Sequence, residues 1–112
     1  MIQGVHAMFY TTDAEATRAF LRDQLRLTAH DVGEGWLIFD VPEADMGCHP
    51  AEKPGHEISF YCNDIELTVA ELRERGVSIK TDIRDDGWGF TTNMEVPGVG
   101  PVTLYQPKYQ KS

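Results

Sequence analysis

The chain has 112 residues and is 41% hydrophobic and 25% charged, a composition typical of a single globular domain. Its 10 basic and 18 acidic residues give a net charge of −8, which argues against a nucleic-acid partner because phosphates are bound by clustered Lys and Arg. No run approaches the roughly 20 apolar residues of a membrane span, so no membrane partner is expected.

The first half is predicted to begin with a strand, Val5–Thr11, because apolar and polar side chains alternate along it. Thr12–Glu15 has the pattern of a capping box, with Thr12 as the N-cap. A helix should follow to about Gln24. Its buried positions are expected to be Ala16, Ala19 and Phe20. The strand candidates after it are Ala29–Asp31, Gly35–Val41 and Asp45–His49.

The second half has the same order of elements. Glu57–Cys62 alternates as a strand, and Asn63-Asp64 is placed to cap a helix that runs to about Arg75 and ends at Gly76. The positions expected to be buried on this helix are Ile65, Val69 and Leu72. The strand candidates that follow are Ser78–Asp82, Thr91–Val96 and Val102–Gln106.

Short motifs of the first half recur in the second half in the same order. Phe9–Asp13 recurs as Phe60–Asp64 at an offset of 51 residues, and Gly35-Trp36 recurs as Gly87-Trp88 at an offset of 52. Such a repeat predicts two half-copies that share one core, because each alone would be marginal in size. The predicted domain spans residues 1–112, with one βαβββ module at 1–50, a connector at 51–55, a second module at 56–107 and a loose tail at 108–112.

Two segments give the chain a recognisable family character. Val5–Asp13 and Val102–Pro107, set in the duplicated order of elements, resemble the vicinal oxygen chelate superfamily. This group includes glyoxalase I, extradiol dioxygenases, fosfomycin-resistance enzymes and bleomycin-resistance proteins. The resemblance implies an α+β fold in which two βαβββ modules form a curved eight-stranded sheet around a cup-shaped cavity. It also implies a homodimer, either swapped or unswapped.

In the metal-dependent relatives, the ligands lie on the first and last strands of each module. The positions that this resemblance carries over are His6, Met46, Glu57 and Thr103. A divalent metal such as Mn, Fe, Ni, Co or Zn prefers imidazole and carboxylate donors here, which leaves His6 and Glu57 as the candidate ligands. If the closing strand of the first module is shifted by one or two residues relative to the family pattern, Asp45 or Cys48 takes the ligand position instead of Met46. Without a metal, His6 and Glu57 could form a general acid–base couple or a buried hydrogen-bonded pair.

A second kind of site uses aromatic side chains. Several aromatic residues occupy repeat-related or strand positions, and the bleomycin-binding relatives use such residues to stack a ligand without catalysis. The predicted ligand-binding set is His6, Tyr10, Trp36, Glu57, Tyr61, Trp88, Thr103 and Tyr105. For any single aromatic residue, a role in the core is the alternative.

These patterns favour binding or sequestration of a small aromatic or cationic molecule in the cup. The alternative is a metal-dependent lyase or extradiol-type dioxygenase that uses His6 and Glu57, and a third is a binding module that regulates a neighbouring enzyme. Cys48-His49 and His56 lack the spacing of a structural zinc site. Two cysteines without a CxxC pair, and an N-terminus without a secretory signal, favour the cytoplasm.

Overall fold

The computed structural model describes residues 7–44 and 50–109. These residues form a mixed α+β fold, which confirms the predicted class. The helices are α1 (Ala14–Ala19), which continues as a π-helical turn (Phe20–Gln24), and α2 (Ile65–Glu74). The strands are β1 (Thr28–Asp31), β2 (Leu37–Asp40), β3 (Ser59–Tyr61), β4 (Arg84–Asp85), β5 (Gly89–Val96) and β6 (Gly100–Pro107). Within this part of the chain, neither helix has the length and apolar character needed to cross a bilayer.

The second half forms a four-stranded sheet in the order β3-β6-β5-β4. Strand β3 runs parallel to β6, and the other neighbouring pairs are antiparallel. Helix α2 lies between β3 and β4 in the chain, because a parallel pair needs a crossover connection. The first and last strands of this β-α-β-β-β unit, β3 and β6, are therefore neighbours, with β3 at the edge of the four-stranded sheet.

The first half contributes a separate two-stranded sheet, in which β1 pairs with β2. The described residues thus form six strands in two sheets, not a single eight-stranded sheet. Residues 7–11 of the predicted strand Val5–Thr11 form no strand, because no described neighbour offers them a ladder of backbone hydrogen bonds. The predicted strand Asp45–His49 lies outside the described residues.

The predicted strand Ser78–Asp82 runs beside β5 without regular pairing. The N–H of Glu95 donates to the carbonyl of Ser78 at 2.9 Å, as a ladder would require. The N–H of Asn93, however, donates to the side-chain hydroxyl of Thr81 at 3.2 Å. A threonine hydroxyl that replaces a backbone acceptor interrupts the ladder, so regular pairing is confined to β4.

Each helix begins at an aspartate. The carboxylate of Asp13 accepts from the N–H of Ala16, and that of Asp64 accepts from the N–H of Leu67, both at 3.1 Å. The predicted N-cap at Thr12 is wrong by one residue, since its hydroxyl donates to the carbonyl of Gly98 instead. A carboxylate satisfies an unpaired N–H and also faces the positive end of the helix dipole.

The core lies between the helices and one face of the four-stranded sheet. The expected buried positions Phe20, Ile65, Val69 and Leu72 are confirmed. Ala16 and Ala19 are only half-buried, and the buried neighbours on this helix are Thr17 and Leu21. Gly76, with φ +84°, lies just beyond the end of α2 as expected.

Two contacts join residues that occupy the same place in the two repeats. The rings of Phe9 and Phe60 have centroids 6.3 Å apart. The side-chain amide of Gln24 donates to the carbonyl of Arg75 at 3.0 Å, and the Arg75 guanidinium donates back to the carbonyl of Gln24 at 3.4 Å. Both pairs are 51 residues apart, which is the offset of the sequence repeat.

Candidate ligand-binding site

The two faces of the four-stranded sheet differ in chemistry. On β6, Val102 and Leu104 belong to the core beneath the helices, while the alternating residues Thr103 and Tyr105 lie on the opposite face. On β3, Phe60 packs against the core and Tyr61 lies opposite. The face without helices is therefore both aromatic and polar.

One row of side chains crosses all four strands on this face. Tyr61 is paired with Tyr105, Tyr105 with Thr91, and Thr91 with Arg84. Same-face neighbours in adjacent strands are close enough for their side chains to touch. The row therefore changes from two phenol rings to a hydroxyl and then to a guanidinium at the edge strand.

Tyr105 lies at the centre of an aromatic cluster, which we define as Tyr61, Trp88, Tyr105 and Tyr109. The ring centroid of Tyr105 is 6.1 Å from that of Tyr61 and 5.3 Å from that of Trp88, and Trp88 meets it edge-on. Its hydroxyl lies 3.5 Å from the hydroxyl of Tyr109. Tyr105 is only 8% exposed, whereas Trp88 is 50% exposed. These geometries are favourable for aromatic pairs, so the cluster offers stacking surfaces near solvent.

Residues 108 and 109, which belong to the predicted tail, contact the sheet. The N–H of Lys108 donates to the carbonyl of Trp88 at 3.0 Å, which extends the pairing of β5 with β6. The Lys108 ammonium donates to Asp85 at 2.6 Å. This hydrogen bond, with help from the N–H of Gly87, lowers the pKa of Asp85.

Polar groups surround the aromatic cluster on the same face. The hydroxyl of Thr103 donates to the side-chain oxygen of Asn93 at 3.3 Å. The hydroxyl of Thr91 donates to Asp86 at 2.6 Å and accepts from the Arg84 guanidinium at 3.3 Å. A ligand stacked on the rings would meet hydroxyl, amide and guanidinium groups on one side. Sequence reasoning missed Asn93 and Arg84, because only the strand register places Asn93 beside Thr103 and Arg84 beside Thr91.

The predicted ligand-binding residues are divided by the structure. It brings Tyr61, Trp88 and Tyr105 together, and Thr103 shares their face. Trp36 lies instead under the guanidinium of Arg18, with 4.8 Å between the Arg18 Cζ atom and the ring centroid.

Three other predicted positions are either exposed or outside the described residues. Tyr10 is almost fully exposed and precedes α1. Glu57 is exposed and lies two residues before β3. His6 is outside the described residues. Whether these three side chains reach a ligand therefore stays a prediction.

The described part of the inferred metal set is poor in donors. Thr103 offers a hydroxyl that is already bonded to Asn93, and Glu57 offers one exposed carboxylate. Over residues 7–44 and 50–109, no three His, Cys, Asp or Glu side chains are grouped to hold a metal ion. These donors do not fit a transition-metal site by themselves. His6 and Met46 lie outside the described residues, as do the alternatives Asp45 and Cys48.

Cys62 lies at the end of β3, behind the aromatic cluster. Its thiol is half-buried and donates to the carbonyl of Tyr105 at 3.6 Å. Burial raises the pKa of the Cys62 thiol, because a thiolate is poorly solvated there.

The raised pKa predicts slow alkylation of Cys62. In a Cys48→Ser variant, the midpoint of the iodoacetamide rate against pH should lie higher for the folded protein than for the same protein in urea. A raised folded-state pKa stabilises the fold fully below the unfolded value of about 8.5, and this contribution is lost as pH rises through the folded value. Equal midpoints in the folded and unfolded protein would contradict the burial of this thiol.

A concavity of about 760 Å³ lies away from the aromatic cluster. It is open between the end of the π-helical turn, residues 76–80 and the turn that joins β5 to β6. Its charged side chains are Lys80 and Glu95, and no member of the aromatic cluster lines it. Glycine, valine and proline residues make up much of its lining. The aromatic face is the better candidate for recognition of a flat ligand, because its rings offer stacking surfaces.

The described residues thus form a small α+β domain whose four-stranded sheet has one aromatic face without a described helix. The family model for the Glyoxalase/Bleomycin resistance protein/Dioxygenase superfamily matches residues 4–97. The chain belongs to this superfamily, which confirms the resemblance seen in its sequence. A search of curated protein sequences gives no significant match.

Solved structures with the same fold include proteins of several activities. TnmS3, an antibiotic binding protein from a Streptomyces species, is 20% identical, with a TM-score of 0.66 over 96% of this chain and 100% of that one. A glyoxalase/bleomycin resistance protein/dioxygenase from Nocardioides is 16% identical, with a TM-score of 0.62 over 99% and 93%. The fosfomycin resistance protein FosX from Listeria monocytogenes is 17% identical, with a TM-score of 0.55 over 100% and 97%. At these identities the likeness establishes the fold.

Proposed function

We propose that this protein binds a small aromatic or cationic molecule on the helix-free face of its four-stranded sheet. The observation that carries the proposal is the aromatic cluster, whose central ring, Tyr105, is surrounded by Tyr61, Trp88 and Tyr109. Flat aromatic ligands stack on such rings, and cations are attracted to their faces. Two proteins of similar structure, an antibiotic binding protein and a fosfomycin resistance protein, support this kind of function.

The charge of the protein supports a ligand that is not anionic. The net charge of −8 favours the approach of cations and disfavours that of anions. Near the aromatic cluster, the two basic groups Arg84 and Lys108 already face Asp86 and Asp85. A cationic or neutral ligand would therefore meet less electrostatic repulsion here than an anionic one.

The same proposal includes the predicted two-module architecture and its cup. The contacts between Phe9 and Phe60, and between Gln24 and Arg75, support a pseudo-twofold axis, because equivalent residues touch one another only near such an axis. The modules are residues 1–50 and 56–107, joined by 51–55, and they would complete an eight-stranded curved sheet. A homodimer in the cytoplasm is part of this proposal.

Binding can be measured with three probes of one shape and different charge. In a Trp36→Phe variant, Trp88 is the sole tryptophan, so its fluorescence reports on the aromatic cluster. We expect saturable changes with 1-naphthalenemethanol and 1-naphthylmethylamine, and the weakest binding for 1-naphthoate. Dissociation constants on the order of 0.1 to 1 mM follow from about −0.4 kcal/mol per non-hydrogen atom for ligands of this size.

A pair of matched variants tests the role of the central ring. Tyr105→Leu should weaken binding by about 2- to 12-fold through the loss of stacking, and Tyr105→Phe should retain it. Circular dichroism and urea denaturation would show that both variants fold. No saturable change with any probe would contradict the proposal.

The metal-dependent alternative makes a different measurement decisive. If protein purified without chelator carries stoichiometric Mn, Fe, Ni, Co or Zn, and if both His6→Ala and Glu57→Ala lose it, the lyase or dioxygenase reading replaces sequestration. Mass spectrometry of the bound metal gives this result without an enzyme assay.

A further inference from the structure

Lys108 is anchored to the sheet at three points, just after β6 ends. Its N–H donates to the carbonyl of Trp88 at 3.0 Å, and its ammonium donates to Asp85 at 2.6 Å. The same ammonium lies 4.7 Å from the ring centroid of Phe90. These contacts set the direction in which the chain continues, and the next residue is Tyr109.

Tyr109 meets Tyr105, the ring on which the proposed ligand would stack, at the hydroxyl end of that ring. Its hydroxyl is 3.5 Å from that of Tyr105, and its side chain is about half exposed while Tyr105 is buried. Tyr105 lies on the sheet face that neither described helix covers, and the described side chains next to it include Tyr61, Trp88 and Tyr109. A ligand that stacks directly on Tyr105 has to displace one of them.

We propose that Tyr109 is a specificity-determining residue that occupies the ligand position over Tyr105, and that the Lys108–Asp85 ion pair holds it there. This inference rests on the proposed function, because it assumes that ligands stack on the aromatic cluster. Of these three side chains in the described part of the chain, Tyr61 belongs to β3 and Trp88 directly precedes β5, whereas Tyr109 follows the last strand, β6. Tyr109 is therefore the one that can move without breaking strand pairing.

The ion pair between Lys108 and Asp85 is weak enough to open. The side chains of Lys108 and Asp85 are 36% and 56% exposed, and ion pairs in such positions contribute little and are screened by salt. The measured affinity of a ligand that needs the open form is the intrinsic affinity multiplied by the open fraction. Weakening the ion pair should therefore raise the affinity.

The first experiment needs no ligand. In the Trp36→Phe background, acrylamide quenching reports the exposure of Trp88, whose carbonyl accepts from Lys108. Lys108→Met and Tyr109→Ala should each raise the quenching constant by about 1.5-fold or more, as expected for a more open cluster. Lys53→Met is the matched control, since Lys53 is exposed on the connector, and it should leave the constant unchanged.

The second experiment measures the affinity for 1-naphthalenemethanol in the same variants. Lys108→Met and Asp85→Asn should bind about 2- to 5-fold more tightly, the range that an exposed ion pair can supply. Tyr109→Ala should bind at least as tightly as Lys108→Met, and Tyr109→Phe, which keeps the ring, should match the parent protein. Raising NaCl from 0.05 to 0.5 M should increase the affinity of the parent more than that of Lys108→Met.

The outcomes separate this inference from the function on which it rests. If the parent protein binds no naphthalene probe, the proposed function fails, while the quenching result still tests the anchor. If the parent binds but Tyr109→Ala binds more weakly, Tyr109 is a wall of the site and the inference is wrong. Equal affinities and equal quenching in the parent, Lys108→Met and Tyr109→Ala would also overturn it.

Discussion

Gly98→Ala should lower the free energy of unfolding by about 2–5 kcal/mol, from the cost of a left-handed backbone together with that of overpacking. Gly98 has φ +79° in the turn between β5 and β6. An added Cβ would overlap the hydroxyl of Thr11 and lie 2.9 Å from the N–H nitrogen of Asp13. The turn would have to move away from the start of α1.

The same turn holds the first helix against the sheet. Both the N–H and the hydroxyl of Thr12 donate to the carbonyl of Gly98, at 2.9 and 3.2 Å. The buried hydroxyl of Thr17 donates to the carbonyl of the preceding residue, Pro97. A displaced turn would lose these bonds, and a buried group left unpaired costs about 1–3 kcal/mol.

Gly87→Ala is the matched control for Gly98→Ala. Gly87 has φ +86°, but a Cβ at Gly87 would meet no atom within 4 Å. This variant therefore has the backbone cost of about 1–2 kcal/mol without the overlap. Urea denaturation of both variants gives the comparison, and equal losses of stability would show that Gly98 is not closely packed against α1.

Phe20→Ala is the second large effect, with an expected loss of about 3–5 kcal/mol. Phe20 is 3% exposed and belongs to the core cluster that joins both helices to the sheet. Truncation would leave a cavity between the two helices and the sheet. Other contacts hold these elements in place, so they cannot fully close it. The loss combines the transfer of the ring out of the core with the cost of that cavity.

Leu67→Ala provides the comparison for Phe20→Ala. Leu67 is 57% exposed on α2, so its truncation should change stability by no more than about 0.5 kcal/mol. Thermal or urea unfolding of the two variants measures the difference. A loss below about 1.5 kcal/mol for Phe20→Ala would mean that the first helix is not packed into the core as the structure has it.

Local sequence signals predicted the second half of the molecule well. The alternation of Thr91–Val96 and Val102–Gln106 corresponds to β5 and β6, and the helical spacing of Ile65, Val69 and Leu72 corresponds to the buried stripe of α2. These patterns succeed because one face of each element must leave water, and that requirement is written in the sequence.

Predictions failed where a side-chain hydrogen bond, or a contact with a residue far away in the sequence, replaces the regular hydrogen bond of a helix cap or a strand ladder. The capping-box pattern selected Thr12, but Gly98, 86 residues away, accepts from the Thr12 hydroxyl, and Asp13 caps the helix instead. Ser78–Asp82 was predicted as a strand, but the hydroxyl of Thr81 interrupts its ladder with β5. Neither hydrogen bond can be predicted from local residue spacing, because each depends on a residue from another segment that only the fold brings close.

The candidate site shows the same division. Tyr61, Trp88 and Tyr105 were selected from the repeat and from strand alternation, and the structure brings their rings together. Tyr109 falls in the predicted tail, and nothing in its sequence neighbours indicates that Lys108 contacts Trp88 and Asp85. Trp36 occupies the same repeat position as Trp88 but packs on Arg18.

By itself, the sequence determined the α+β class, the superfamily, both helices and the aromatic residues available for binding. These follow from periodicity, capping residues and a repeated order of elements, all of which act over a few residues or recur along the chain. The tertiary structure decided which aromatic residues meet, that Arg84 lies beside Thr91 and Asn93 beside Thr103, and that the hydroxyl of Tyr109 meets that of Tyr105. Strand register and the path of the chain after β6 set these contacts, and both depend on the packing of distant segments.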